Sequence, residues 1–195
     1  MKKIICLPGL LLVLFSCTKE TAIVAKNPHG VSSQLTKYTI RKGQQYCDEN
    51  TYKQTSYSEL KFVAKFDSTA VYSTIDPYNQ LDINKLYGFS DNNSTHQQFG
   101  ARFGWRWSDK ALRLFGYVYN DGIREYKELG TVRIGAENNC SIRVTPKNYI
   151  FSLNGVVDSL PRTSPATKAV GYKSYPYFGG DESAPHNIYI WIKEL

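Results

Sequence analysis

From Tyr38 onward the chain runs in short stretches that alternate apolar and polar residues, the two-residue period of a strand with one buried face. Leu60, Phe62, Ala64 and Phe66 fall on one side of such a stretch, and Lys61 and Lys65 on the other. Near the end, Ile188, Ile190 and Ile192 alternate with Tyr189, Trp191 and Lys193. Asp121-Gly122 and Asn154-Gly155 are predicted hairpin turns, because Asn, Asp and Gly tolerate the positive φ of a tight two-residue turn. Asp76 to Asn84 and Pro161 to Lys168 read as loops, with room for a short helical turn between Leu81 and Leu86. No long helical period and no internal repeat occurs. The pattern predicts an all-β chain folded as an antiparallel β-sandwich over residues 38–195.

One hairpin is specified more sharply than the rest. Phe99 to Tyr119 reads as two strands around Asp109-Lys110. With those residues as the turn, Trp107 faces Leu112, Trp105 faces Leu114, Phe103 faces Gly116 and Ala101 faces Val118, all apolar or small. The other face then pairs Arg106 with Arg113, Gly104 with Phe115, Arg102 with Tyr117 and Gly100 with Tyr119. A one-residue slip would set arginines against tryptophans, so the pattern fixes the register. A second turn at Asp121-Gly122 would bring Tyr126 opposite Tyr117, Arg124 opposite Tyr119 and Glu128 opposite Phe115, at the expense of turning Glu125 and Lys127 toward the core.

The polar face of this hairpin, Arg102, Arg106, Arg113, Phe115, Tyr117 and Tyr119, is the candidate ligand-binding surface. Guanidinium forks hold carboxylate or sulfate in two-point contacts, and phenol rings stack on sugar rings. The competing account is purely structural: arginines and aromatics on a half-exposed strand pack on one another through cation–π contacts, with Glu128 as neutralising partner. His96, just before the hairpin, and Tyr119 are the alternative proton carriers should the face be catalytic. Gly179-Gly180-Asp181-Glu182 lacks the ligand spacing of a calcium loop and reads as a turn. No metal site, cofactor motif, G-x-S-x-G, phosphate-cradling loop or H-E-x-x-H is expected.

Composition supports the β reading: with 15 Tyr, 9 Phe and a single Met, the chain is poor in the flexible residues of helical bundles. The formal net charge is +7, of which Lys2 and Lys3 supply two. A mild basic excess suits an acidic partner such as an anionic polysaccharide, or serves solubility alone. Four cysteines occur. Cys47 and Cys140 could form a disulfide outside the cytoplasm, or each bury a small thiol.

The first seventeen residues resemble a bacterial lipoprotein signal peptide: Lys2 and Lys3, an apolar stretch from Ile4 to Phe15, then Leu14-Phe15-Ser16-Cys17. The resemblance implies removal of residues 1–16, lipidation at Cys17 and a flexible tether over 17–37. It places the domain at the outer membrane or cell surface, in contact with the membrane through the lipid anchor only, which disfavours nucleic acid as a partner.

From Tyr38 to the end the strand pattern resembles the concanavalin A-like lectin/glucanase jelly roll. The segments Phe103-Gly104-Trp105-Arg106-Trp107 and Tyr175 to His186 followed by Ile188 to Ile192 are similar to small lipoproteins of Bacteroidetes-type bacteria, most without assigned activity. The E-x-D-x-(x)-E spacing of laminarinase-like glycosidases is absent, with Glu59, Asp67 and Asp82 scattered. Ser58-Glu59-Leu60-Lys61 is similar to the R-[ST]-E-L-R motif of alginate lyase-like enzymes, with Tyr57 and Lys61 in place of its arginines. Tyr177-Phe178-Gly179 matches their Y-F-K without the lysine, and His96-Gln97 reverses the order of their Q-[IV]-H. The expectation is therefore a lipid-anchored, non-catalytic module that binds an acidic glycan. A uronate lyase on the same face, or an envelope structural or protein-interaction domain, is the alternative.

Overall fold

The computed structural model describes residues 34–195. The expected leader, Cys17 and most of the expected tether lie outside the described residues. Twelve strands follow: β1 (Thr36–Ile40), β2 (Gln54–Tyr57), β3 (Glu59–Phe66), β4 (Asn84–Ser90), β5 (Phe99–Ser108), β6 (Ala111–Asn120), β7 (Ile123–Val132), β8 (Glu137–Val144), β9 (Asn148–Leu153), β10 (Val156–Pro161), β11 (Ala169–Ser174) and β12 (Ile188–Glu194). They form two six-stranded antiparallel sheets, in the orders β1-β12-β3-β8-β9-β10 and β2-β11-β4-β5-β6-β7. The first strand begins at Thr36, two residues before the expected domain edge.

The core is the inner face of each sheet. Leu60, Phe62, Ala64 and Phe66 are all buried, as are Ile188, Ile190 and Ile192, opposite Phe89, Phe103, Trp105 and Leu114. Phe103 meets Phe62 and Phe151 at 5.4 Å between ring centres, both edge-on. Each such side chain contributes about 1.5–3 kcal/mol through burial.

The β5–β6 register is the one the sequence predicts, from Phe99 against Asn120 to Ser108 against Ala111. Asp109 and Lys110 have φ of 51° and 58°, and Asp121-Gly122 and Asn154-Gly155 likewise have positive φ throughout. The β6–β7 pairing sets Tyr126, Arg124 and Glu128 opposite Tyr117, Tyr119 and Phe115. Glu125 and Lys127 do turn toward the opposite sheet, but at its rim: Lys127 forms an ion pair with Asp158 of β10 at 2.8 Å. Polar residues are tolerated there because β7 and β10 are the edges of their sheets.

Two sequence expectations are corrected. The helical turn lies at Pro77–Leu81, where the Asp76 side chain accepts from the Tyr78 backbone N–H, while residues 84–86 open strand β4. Cys47 and Cys140 are free buried thiols rather than a disulfide. Cys47 bridges Ile40 at the end of β1, and Cys140 sits on β8, across β12 and β3. From Cys47, one spacing outside β1, to β8 is four strand spacings or about 19 Å, well over twice the Cα separation of roughly 7 Å that a disulfide can span.

Candidate functional site

The outer face of the second sheet carries a cavity of about 520 Å³. Arg102 from β5, Tyr117 and Tyr119 from β6, Lys85 from β4 and Tyr172 from β11 reach it, with His96 and Tyr177 from the loops at its edge. Alternation alone would leave Tyr87 on the same side as Lys85. A bulge between them in the β4–β5 ladder instead lets Leu86 and Tyr87 both enter the core while Lys85 stays on the open face. Lys85 is further held by reciprocal backbone hydrogen bonds with Tyr177, at 2.8 and 3.0 Å.

The floor is made shallow by glycine. A methyl group on Gly88 would collide with Arg102, and one on Gly100 would stand 2.9 Å from the Phe89 carbonyl oxygen. Their absence lets the Arg102 side chain and the His96 loop lie close over the sheet.

Arg102 is the central group. Three cationic side chains are buried among the described residues, Arg102, Arg162 and Lys173. Arg162 donates to Asp91 at 2.8 Å, and Lys173 is paired with Glu194. Arg102 has no carboxylate within ion-pair distance among the described residues. Its guanidinium carbon stands 5.4 Å from the Tyr117 ring centre. Burial pulls its pKa below the usual arginine range, against the pull of Tyr117, Tyr119, Tyr172 and Tyr177.

Lys85 is the second cation. Its Nζ donates to the Ile83 carbonyl at 2.7 Å and sits 5.0 Å from the Tyr117 ring centre. Burial, reinforced by Arg102, brings its pKa down to about 8. Burial also lifts the Tyr117 hydroxyl to about 12. Nζ lies 2.7 Å from where a side chain on Gly179 would begin.

His96 is ordered by Tyr172, whose hydroxyl accepts from the His96 backbone N–H at 3.0 Å and lies 2.8 Å from Nδ1. The Tyr172 hydroxyl, with one donor and two acceptor lone pairs, can serve the amide and either tautomer of the ring. Burial, with Arg102 and Lys85 nearby, drops the pKa to about 4, so the ring is neutral near pH 7.

The predicted face is therefore split. Arg102, Tyr117 and Tyr119 reach the cavity. Arg106, Arg113 and Phe115 do not. Arg106 donates to the Leu81 carbonyl at 2.8 Å and stacks 4.9 Å from the Phe115 ring centre, and Phe115 packs with Ile83 in a small buried cluster. Arg113 is paired with Glu128 at 2.9 Å and Asp109 at 3.2 Å. The structural account holds for this half, where the 77–83 segment covers the sheet. Ser58 to Lys61 also lies elsewhere, entering β3 of the opposite sheet, with Glu59 and Lys61 paired at 3.1 Å. Glu182 ties the loop down, accepting from the Ile75 and Asp76 amides and from Asn79. Lys85, Tyr172 and Tyr177 were missed as site residues; the tyrosine-dense stretch from Tyr172 to Tyr177 was the available signal.

No protein-family profile and no curated protein matches the chain. Solved structures do. An alginate lyase from Pseudomonas aeruginosa aligns over 84% of this chain and 86% of its own, at 11% identity and a TM-score of 0.54. The laminarinase catalytic domain from Thermotoga maritima aligns over 84% and 76%, at 10% identity and 0.52. A glycoside hydrolase family 16 endo-glucanase from Bacteroides ovatus aligns over 83% and 80%, at 14% identity and 0.50. The chain has the jelly-roll fold of these lyases and glucanases. At such identities the likeness is one of fold, and the site must be argued from its own residues.

Proposed function

We propose that the cavity binds an acidic glycan, with Arg102 receiving the carboxylate of a uronic acid residue, Lys85 adding a second positive charge, and Tyr117, Tyr119 and Tyr177 forming the sugar-contacting wall. The observation that carries this reading is the unpaired state of Arg102, a buried cation that, unlike Arg162 and Lys173, has no acidic partner among the described residues. A desolvated charge is costly unless paired, and an arriving carboxylate would pair it through a two-point contact. The jelly-roll fold, shared with proteins named for alginate and glucan chemistry, is consistent with a glycan ligand. The leader-like first seventeen residues support presentation from the outer membrane or cell surface through a lipid on Cys17. Calorimetry with oligouronates and neutral oligosaccharides of equal length tests the reading: uronate-selective binding that disappears in Arg102→Gln upholds it, and equal binding by both, or by the variant, overturns it. Palmitate labelling lost in Cys17→Ala tests the anchor.

A second reading is favoured by the neutral His96–Tyr172 pair beside Arg102. In a β-eliminating lyase the C5 proton passes to a base, the C4–O bond breaks, a C4–C5 double bond forms and the departing oxygen takes up a proton. Arg102 would neutralise the carboxylate, and His96 or a cavity tyrosine would carry the proton. Ultraviolet absorbance of unsaturated uronate ends, lost in His96→Ala, would establish it.

A further inference from the structure

A second cavity of about 580 Å³ adjoins the first across Tyr172. Its lining includes Tyr52, Gln54, Asn93, Ser94, Gln98 and Tyr172, and no charged side chain lines it. Tyr172 stands opposite Gln54 in the β11–β2 ladder, so the two cavities sit on adjacent strands of one sheet. Between them, the Tyr172 hydroxyl is held by two contacts with His96.

The two cavities differ in chemistry. The first holds Lys85 and Arg102. The second offers carboxamides and hydroxyls, which donate and accept neutral hydrogen bonds. It also has an exposed ring, Tyr52, which is 77% accessible and 5.8 Å from Tyr172 between ring centres. Aromatic rings beside amides suit the apolar face and hydroxyl rim of an uncharged sugar. A carboxylate there would lose water without meeting a cation.

Building on the acidic-glycan reading, we infer that the second cavity is a subsite for a neutral sugar, so that the ligand is a mixed glycan in which a uronic acid residue is joined to an uncharged one. A homopolymer of uronates would put a carboxylate into the neutral half.

Calorimetry on the protein tests this with three probes: methyl glucuronide, glucuronate–hexose disaccharides in both linkage orders, and diglucuronate. One mixed disaccharide should bind about tenfold tighter than methyl glucuronide and diglucuronate. Tyr52→Ala/Gln54→Ala should reduce it to the methyl glucuronide level while leaving methyl glucuronide unchanged. Gln54 opens the edge strand β2 and Tyr52 lies in the segment before it, both exposed, so an unchanged melting curve should accompany the loss. Diglucuronate binding as tightly as either mixed disaccharide, or a double variant with unaltered affinity for them, overturns the inference. If methyl glucuronide binding still depends on Arg102 in that case, the acidic-glycan reading survives alone; if no probe shows Arg102-dependent binding, both fall.

Discussion

Arg102 and Tyr117 are direct cross-strand partners, and the guanidinium carbon lies 5.4 Å from the phenol ring centre. A cation–π contact of this kind contributes about 0.5–2 kcal/mol, less than the several kcal/mol that burying a lone ion costs. The arrangement is poised for an anion rather than satisfied.

Arg102→Met should therefore abolish uronate binding while leaving the fold as stable or more so. Removing an uncompensated buried charge at similar volume is expected to raise Tm by about 2–4 °C per kcal/mol gained for a domain of this size. Differential scanning calorimetry beside a binding titration reads both. A large loss of stability would mean that Arg102 is already paired within the fold.

Affinity for uronates should fall as pH rises through about 8, where Lys85 loses its charge. The groups acting on it are Arg102 and Arg124, which lower its pKa, and Asp82, which raises it. Titrations from pH 6 to 10 should show this decline, and Lys85→Met should flatten it. The same group bears on folding. Its folded pKa is below the unfolded value of about 10.4, so the unfolded chain binds more protons between the two values. Wild-type stability should therefore gain from Lys85 as pH rises across that window.

Arg106→Ala should leave glycan affinity within about twofold, because its guanidinium is spent on the Leu81 carbonyl, the Ser108 hydroxyl and the Phe115 ring. Loss of those contacts should cost about 1–2 kcal/mol of stability, read from urea unfolding. A strong binding defect would return Arg106 to the site.

Asp91→Asn should be among the most damaging single changes. Asp91 is fully buried and accepts from Tyr149 at 2.6 Å and Arg162 at 2.8 Å. Leaving Arg162 buried without its anion should cost about 3–5 kcal/mol, visible as a lower urea midpoint at unchanged slope.

Thiol labelling checks the cysteines. Burial raises the Cys47 thiol to about 12 and pushes Cys140 up as well, so neither should react with maleimide until the domain unfolds. Peptide mapping should then find both modified without prior reduction; a disulfide-linked peptide would contradict the structure.

Legibility in the sequence followed locality. The β5–β6 register was readable because an Asp-Lys turn and strict alternation over about ten residues a side leave one pairing that keeps tryptophan from arginine. Lys85 was hidden because the bulge after it breaks the alternation that would mark β4 as a strand. The Asp91–Arg162 pair joins residues 71 apart and carries no periodic mark. Arg106 and Arg113 share a face with Arg102, but only the three-dimensional path of residues 77–83 shows that Arg106 is covered, and Arg113 is engaged by Glu128 and Asp109 instead. Pattern reveals which side of a sheet a residue occupies, and loops decide whether that side is open.

The two glycines beneath the cavity set a boundary for anyone wishing to redirect it. Because even a methyl group at Gly88 or Gly100 would run into neighbouring atoms, the basement of the cleft has almost no mutational freedom. New selectivity would have to be written into the rim, at positions such as Tyr46 and Tyr52, whose rings project into solvent and can be exchanged without disturbing the sheet.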